Sequence, residues 1–241
     1  MITGRRIARS LKPIVYSPRL ERLNALVERT VLRAYSRSRY WRWYFANESK
    51  LSTYGSREIQ TDLRYRLYAD LSAAEGLRDE PLDYLEFGVA AGDSIRWWSS
   101  HLTNPETRLV GFDLFTGLPE AWESLAVGAF STGGKPPDIA DPRCSFRKGL
   151  VQETLPAFLR ETTSARRKVI HMDLDLYSGT LFTLVHLAPV LKVGDLVLFD
   201  EFASYMHEFR AWNDFLGTCS LKFEPLRGTN EFFQVAFKRT A

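Results

Sequence analysis

The sequence predicts an α/β protein with a doubly wound, seven-stranded sheet, N-terminal helices and a C-terminal antiparallel hairpin. Three observations lead there. After Pro81, short β-type runs alternate with helical stretches, the pattern of a parallel sheet wrapped by crossover helices. The last two runs are joined by a short connection containing Gly and Asn, which signals a hairpin. Finally, 241 residues at 45% hydrophobic and 25% charged form an ordinary globular composition with enough chain for one large core.

The elements follow in order. From Arg19 to Phe45, Leu20, Leu23, Leu26, Val27, Val31 and Leu32 recur at helical spacing between arginines, and the serines at 36 and 38 predict a break. A second helix is expected over Ser56–Glu75, stopped by Gly76. Residues 1–80 thus read as a basic helical segment, and 81–241 as the sheet domain. Its strands are expected at Leu82–Phe87, Arg108–Asp113, Cys144–Lys148, Lys168–Asp173 and Asp195–Asp200. Helices are expected at Ser94–Leu102, Gln152–Arg160, Ser178–Leu191 and Met206–Leu216. The hairpin pairs Ser220–Leu226 with Glu231–Lys238 across Arg227–Asn230. Between Ala121 and Pro142 lies a long loop with Gly128, Gly133 and Gly134, and loops of that length in compact domains are more often functional than idle.

Charge and composition exclude several classes. The net charge of +3 hides a split: residues 1–50 carry 12 Lys+Arg against 3 Asp+Glu, or +9, leaving 20 against 26, or −6, for the rest. Positive charge confined to one end of an otherwise acidic chain argues against nucleic-acid binding. Arg5, Arg6 and Arg9 precede no apolar stretch of the kind a secretory signal needs, and no apolar run approaches the roughly 20 residues of a membrane span. Two cysteines, Cys144 and Cys219, form neither a disulfide scaffold nor a zinc motif, which fits a reducing cytoplasm. Arginines beside Trp41, Trp43 and Tyr44 suit a dimer or lid helix, or peripheral contact of residues 1–50 with a membrane surface.

In a doubly wound sheet, ligands bind outside the carboxyl ends of the strands, so the strand ends carry the chemistry. The first ends in Glu86-Phe87-Gly88-Val89-Ala90-Ala91-Gly92-Asp93-Ser94, where the glycines permit a tight turn and close approach to a ligand. Glu86 would repel a pyrophosphate but suits a cationic ligand such as S-adenosylmethionine, so a dehydrogenase is disfavoured. The second strand ends in Asp113, placed to accept hydrogen bonds from ribose hydroxyls. The fourth and fifth end in Asp173-Leu174-Asp175 and Asp200-Glu201. Carboxylates gathered at one rim repel unless they share a cation, and oxygen ligands favour Mg²⁺, Mn²⁺ or Ca²⁺. Helix capping by Asp175 and Asp200 is the plainer alternative.

The stretches LEFGVAAGDS (85–94), GFDLFTGLPEAW (111–122), FRKGLVQETLP (146–156), HMDLDLYSGT (171–180) and LFDEF (198–202) resemble the macrocin O-methyltransferase family. These are class I, Rossmann-like enzymes that use S-adenosylmethionine to methylate sugar hydroxyls on natural products. The resemblance implies that Glu86, Gly88, Gly92 and Ser94 line the methionine side of the cofactor. Asp113 would hold its ribose, and Gly149 would lie near the adenine. It further implies a Mg²⁺ or other divalent site at Asp173, Asp200 and Glu201, with Asp175 as general base; Asp-Glu stands here where Asp-Asp is common in the family.

His207, following the last acidic pair, is an alternative base, whereas His171 and His186 read as packing residues. The expected partner is a small-molecule acceptor, a sugar or glycoside hydroxyl, and the expected assembly is a homodimer. A phenolic or small polar acceptor, or a non-catalytic membrane-associated module of the same fold, are the competing readings.

Overall fold

The computed structural model describes residues 21–49, 51, 53–54 and 60–241. The start expected for the second helix, at Ser56, and the basic residues Arg5, Arg6 and Arg9 lie outside them. Helix α1 spans Glu21–Asn47, strand β1 Thr53–Tyr54 and helix α2 Thr61–Glu75. Then follow β2 (Leu82–Phe87), α3 (Asp93–His101), β3 (Arg108–Asp113), β4 (Cys144–Lys148), α4 (Val151–Glu161), β5 (Arg167–Met172) and α5 (Tyr177–Leu187). The chain closes with β6 (Leu196–Phe199), α6 (Glu208–Thr218), β7 (Phe223–Thr229) and β8 (Gln234–Arg239).

The seven expected strands form one sheet, and the two-residue β1 adds to its edge in the order β1-β7-β8-β6-β5-β2-β3-β4. Strands β2 to β6 pair in parallel, and β8 runs antiparallel to both β6 and β7. Parallel strands covered on both faces read as continuous apolar runs, and every residue of β2 and β6 is buried. Alternation along the strands feeds two cores. Leu85, Phe87, Val110, Phe112, Ile170 and Met172 face α4, α5 and α6, while Leu82, Tyr84, Leu109 and Val169 face α2 and α3. The N-terminal helices belong to these cores. Tyr40 and Trp43 pack edge-on against Phe209 and Phe202, and Tyr68 and Leu71 of α2 are fully buried.

Three boundaries differ from expectation, each through a local cause. Helix α1 runs unbroken through Ser36, which is buried, because Arg39 donates to Asn213 Oδ1 at 3.0 Å and Tyr40 seats against Phe209. The tertiary anchor outweighs the modest helix preference of serine. Helix α5 ends at Leu187 rather than Leu191, since Pro189 has no N–H with which to continue the helical hydrogen bonds. The hairpin turn falls at Asn230–Phe233, three residues later than Arg227–Asn230, with Asn230, Glu231 and Phe232 in left-handed conformation. Asn230 is pinned by bonds to Gln60 and Gln234. The buried Phe232 ring lies where a Cβ on Gly228 would be, 2.5 Å away, so Gly228 is required within the strand rather than in the turn.

Candidate active site

Chain connectivity reverses between β2 and β5, and open sheets place their ligand crevice at such a switch point. A cavity of about 420 Å³ opens there, at the carboxyl ends of β2, β3, β5 and β6, within the size range of small-molecule pockets. Every candidate from the strand ends lines it: Glu86, Gly88, Gly92 and Ser94 on the first turn, then Asp113, Gly149, Asp173, Asp175, Asp200 and Glu201. His207 does not. It caps α6 and points toward Glu123, with Nε2 3.9 Å from that carboxylate, and burial lowers its pKa.

The glycine turn is shaped by its neighbours. A Cβ at Gly88 (φ +88°) would stand 1.7 Å from the Asp173 carbonyl oxygen, so only glycine lets β2 pass β5 there. Asp113 Oδ2 accepts the Val89 and Ala90 N–H groups at 2.6 and 2.8 Å, and Oδ1 accepts Phe115 N–H at 2.5 Å. Asp113 therefore already organises the turn, and of about four acceptor positions on a carboxylate it retains little for another ligand. Above the turn, the long loop folds back over the mouth: Ala129 and Phe130 line the cavity, and Gly117 lies against Gly128 so closely that a Cβ would be 2.3 Å from its carbonyl oxygen.

Beneath the turn runs a buried polar chain that sequence reasoning missed. His171 Nδ1 lies 2.8 Å from Tyr84 Oη, which donates to Glu86, and Nε2 lies 3.3 Å from Tyr68 Oη, itself 3.1 Å from Ser94 Oγ. Burial pulls the imidazole pKa down, but Asp200 and Glu86 override it and push it up to about 10. An imidazolium donating from both nitrogens leaves each tyrosine hydroxyl to donate onward, Tyr84 to Glu86 and Tyr68 to Ser94. The period-two spacings Tyr84/Glu86 and His171/Asp173, which put each pair on one face of its strand, were the available signal.

The acids at the rim form two overlapping clusters, His171–Asp173–Asp200 and Asp173–Asp175–Glu201, each with ligand atoms within 4.8 Å of one another. Asp175, at a left-handed φ of 62°, thus stands inside the acidic cluster. Burial, then Asp200, raises the Asp173 pKa. Burial also raises Asp175, and burial followed by Asp175 lifts Glu201 far above the carboxylate range. Glu208 of α6 joins them: it is fully buried, accepts Glu201 N–H at 3.0 Å, and is pushed up by burial and then Asp173. It occupies an apolar-face position with Ala211, Trp212 and Phe215, where an acid is out of pattern. Asp200 Oδ1, Glu201 Oε2 and Glu208 Oε1 are buried without hydrogen-bond partners, and such oxygens are what a hard divalent cation takes. The residues fit Mg²⁺.

Residues 85–202 match a methyltransferase domain family. A comparison with curated protein sequences found no significant match. Among solved structures, the chain is similar to the calicheamicin methyltransferase CalS11, with TM-score 0.59 and 24% identity over 75% of this chain and 80% of that one. An apo structure of CalS11, described as a TDP-rhamnose 3'-O-methyltransferase, gives TM-score 0.53 and 23% identity over 75% and 81% of the two chains. A Mg- and S-adenosylmethionine-bound structure of cmcI gives TM-score 0.50 and 16% identity over 76% and 72%. The chain thus has the class I methyltransferase fold, and its stretch from 85 to 202 is similar to a methyltransferase domain.

Proposed function

We propose that the chain is an S-adenosylmethionine-dependent O-methyltransferase, assisted by Mg²⁺ or a similar divalent cation, acting on a hydroxyl of a sugar or glycosylated natural product. The observation that carries this reading is the set of buried, incompletely paired carboxylates facing the glycine turn across one cavity. The motif resemblance to macrocin O-methyltransferases and the likeness to CalS11 support the sugar acceptor over a phenolic one.

When bound, the cofactor supplies an electrophilic methyl group on a sulfonium and the cation acidifies a hydroxyl whose own proton is otherwise too tightly held for attack. Around them the chain divides its work. Glu86, Gly88, Gly92 and Ser94 receive the methionine end, Gly149 the adenine end, and the remaining acceptor position on Asp113 a ribose hydroxyl. Asp173, Asp200 and Glu201 hold the cation. Asp175, which stands among these carboxylates, would take the acceptor proton. Held in line, the reactants need orientation and exclusion of water more than covalent help. The protein works in the cytoplasm, and the outer face of α1, with Leu26, Val31, Trp41 and Phe45 exposed, is the surface for the expected contact of residues 1–50 with a second copy or a membrane.

Calorimetry with S-adenosylhomocysteine, followed by Mg²⁺, tests the cofactor pair. Asp173→Ala should reduce methyl transfer by about 10²-fold or more while leaving S-adenosylhomocysteine affinity nearly intact; full turnover in chelator would sink the metal role.

A further inference from the structure

Among the described residues, Arg64 is the one cationic side chain lining the cavity, against seven acidic residues. It stands on α2 four residues before Tyr68, so the two share a helix face. Tyr68 reaches Ser94 at the first turn of α3, and Arg64 Nη2 donates to Asp200 Oδ2 at 2.6 Å. Helix α2 therefore covers the corner of the cavity between Ser94 and Asp200. Arg64 Nε is buried there with no hydrogen-bond acceptor. A guanidinium has five donors in a planar fork matched to carboxylates, and an N–H buried without an acceptor is destabilising; the fork is incomplete as it stands.

S-adenosylmethionine supplies what is missing. Its amino-acid end carries an ammonium, suited to an acid-rich wall, and a carboxylate, which the same wall repels unless a cation receives it. We propose that Arg64 binds the α-carboxylate of the cofactor, beside the Ser94 hydroxyl, and so makes the site selective for nucleosides that carry an intact amino acid. This rests on the reading of the cavity as an S-adenosylmethionine site. It also gives the N-terminal helical segment a direct part in cofactor binding.

The plainer role for Arg64, a counter-ion that only neutralises Asp200, predicts different behaviour. Titration calorimetry of the full chain in chelator compares S-adenosylhomocysteine with its decarboxylated analogue, which differs only by the carboxylate. The unmodified protein is expected to prefer S-adenosylhomocysteine by about 10- to 100-fold, the range for a charge-assisted bidentate contact. In Arg64→Met that preference collapses: S-adenosylhomocysteine weakens by this factor, while the analogue stays within about two-fold. The same collapse on adding Arg64→Met to Asp200→Asn shows that it does not arise from the stranded Asp200 charge. Equal weakening of both ligands, or of neither, overturns the assignment. So does equal affinity of the unmodified protein for the two ligands, which needs no variant to fold. No binding of either ligand to the unmodified protein would instead remove the reading of the cavity itself, and the assignment with it.

Discussion

Asp141 shows how a single carboxylate can organise a loop end. It bonds the Arg143 guanidinium through both oxygens at 2.7 to 3.1 Å and accepts from Ser99 at 2.5 Å, while Arg143 reaches the carbonyls of Ser99, Leu102 and Asn104. The bond from Arg143, opposed by burial and aided by Ser99, holds its pKa well below the usual range. A depressed acid contributes stability above its unfolded pKa of about 3.9 and loses it as pH falls toward the folded value. Asp141→Asn should therefore cost about 1–3 kcal/mol at pH 7. In urea titrations the gap to the parent protein should narrow below about pH 4. A gap of one size at both pH values would assign the effect to packing. In the cavity, Asp175 is the matching case: its left-handed backbone is tolerated by aspartate better than by most residues, and its carboxylate lies beside Glu201.

Among the described elements, the segment from Ala121 to Pro142 reaches over the cavity mouth. Ala129 and Phe130 line the cavity, Phe130 is also exposed, and Lys148 ties Gly134 by a 2.6 Å bond. Closure over bound S-adenosylhomocysteine and Mg²⁺ should protect residues 121–142 from limited proteolysis. An unchanged cleavage pattern would argue against closure. Gly117→Ala, which forces a Cβ onto Gly128, should leave the segment cleavable with and without ligand. Strands and their order of appearance were legible because buried parallel strands write themselves as apolar runs and because Gly76 and the acidic strand ends punctuate them. What was not legible was tertiary in origin. Ser36 lies in an unbroken helix because of Asn213 and Phe209, and the hairpin turn is displaced because Phe232 needs the space at Gly228. Edge strand β1 forms only because β7 offers Gly228 and Thr229 as parallel partners. The site's acids were readable from strand ends, whereas Arg64 and Glu208 arrive from helices whose approach no local spacing encodes.

Over the whole molecule, the charge split takes a spatial meaning. Seven acidic residues line one cavity, where their mutual repulsion is costly unless positive charge meets it. Ligands that bind only the folded state stabilise it, by about 2.7 kcal/mol at a hundred times Kd. For a chain of this size that raises Tm by about 5–10 °C. S-adenosylhomocysteine with Mg²⁺ should do so together, and thermal melts in which neither ligand moves Tm would contradict occupancy of this cavity. Among the described residues no helix is long and apolar enough to cross a membrane.

The contacts of α1 and α2 carry a further consequence, for the chain as it is made. Tyr40 waits for Phe209, Gln60 for Asn230 and Arg64 for Asp200, partners that leave the ribosome 136 to 170 residues later. These two helices are thus made well before the partners they dock on, and Trp43 and Tyr44 stay uncovered until Phe202 and Phe232 emerge. A nascent chain that stalls before the hairpin holds the glycine turn and the cavity's acids yet lacks Asn230 and Phe232, so Gln60, Trp43 and Tyr44 are left without the hairpin side of their contacts.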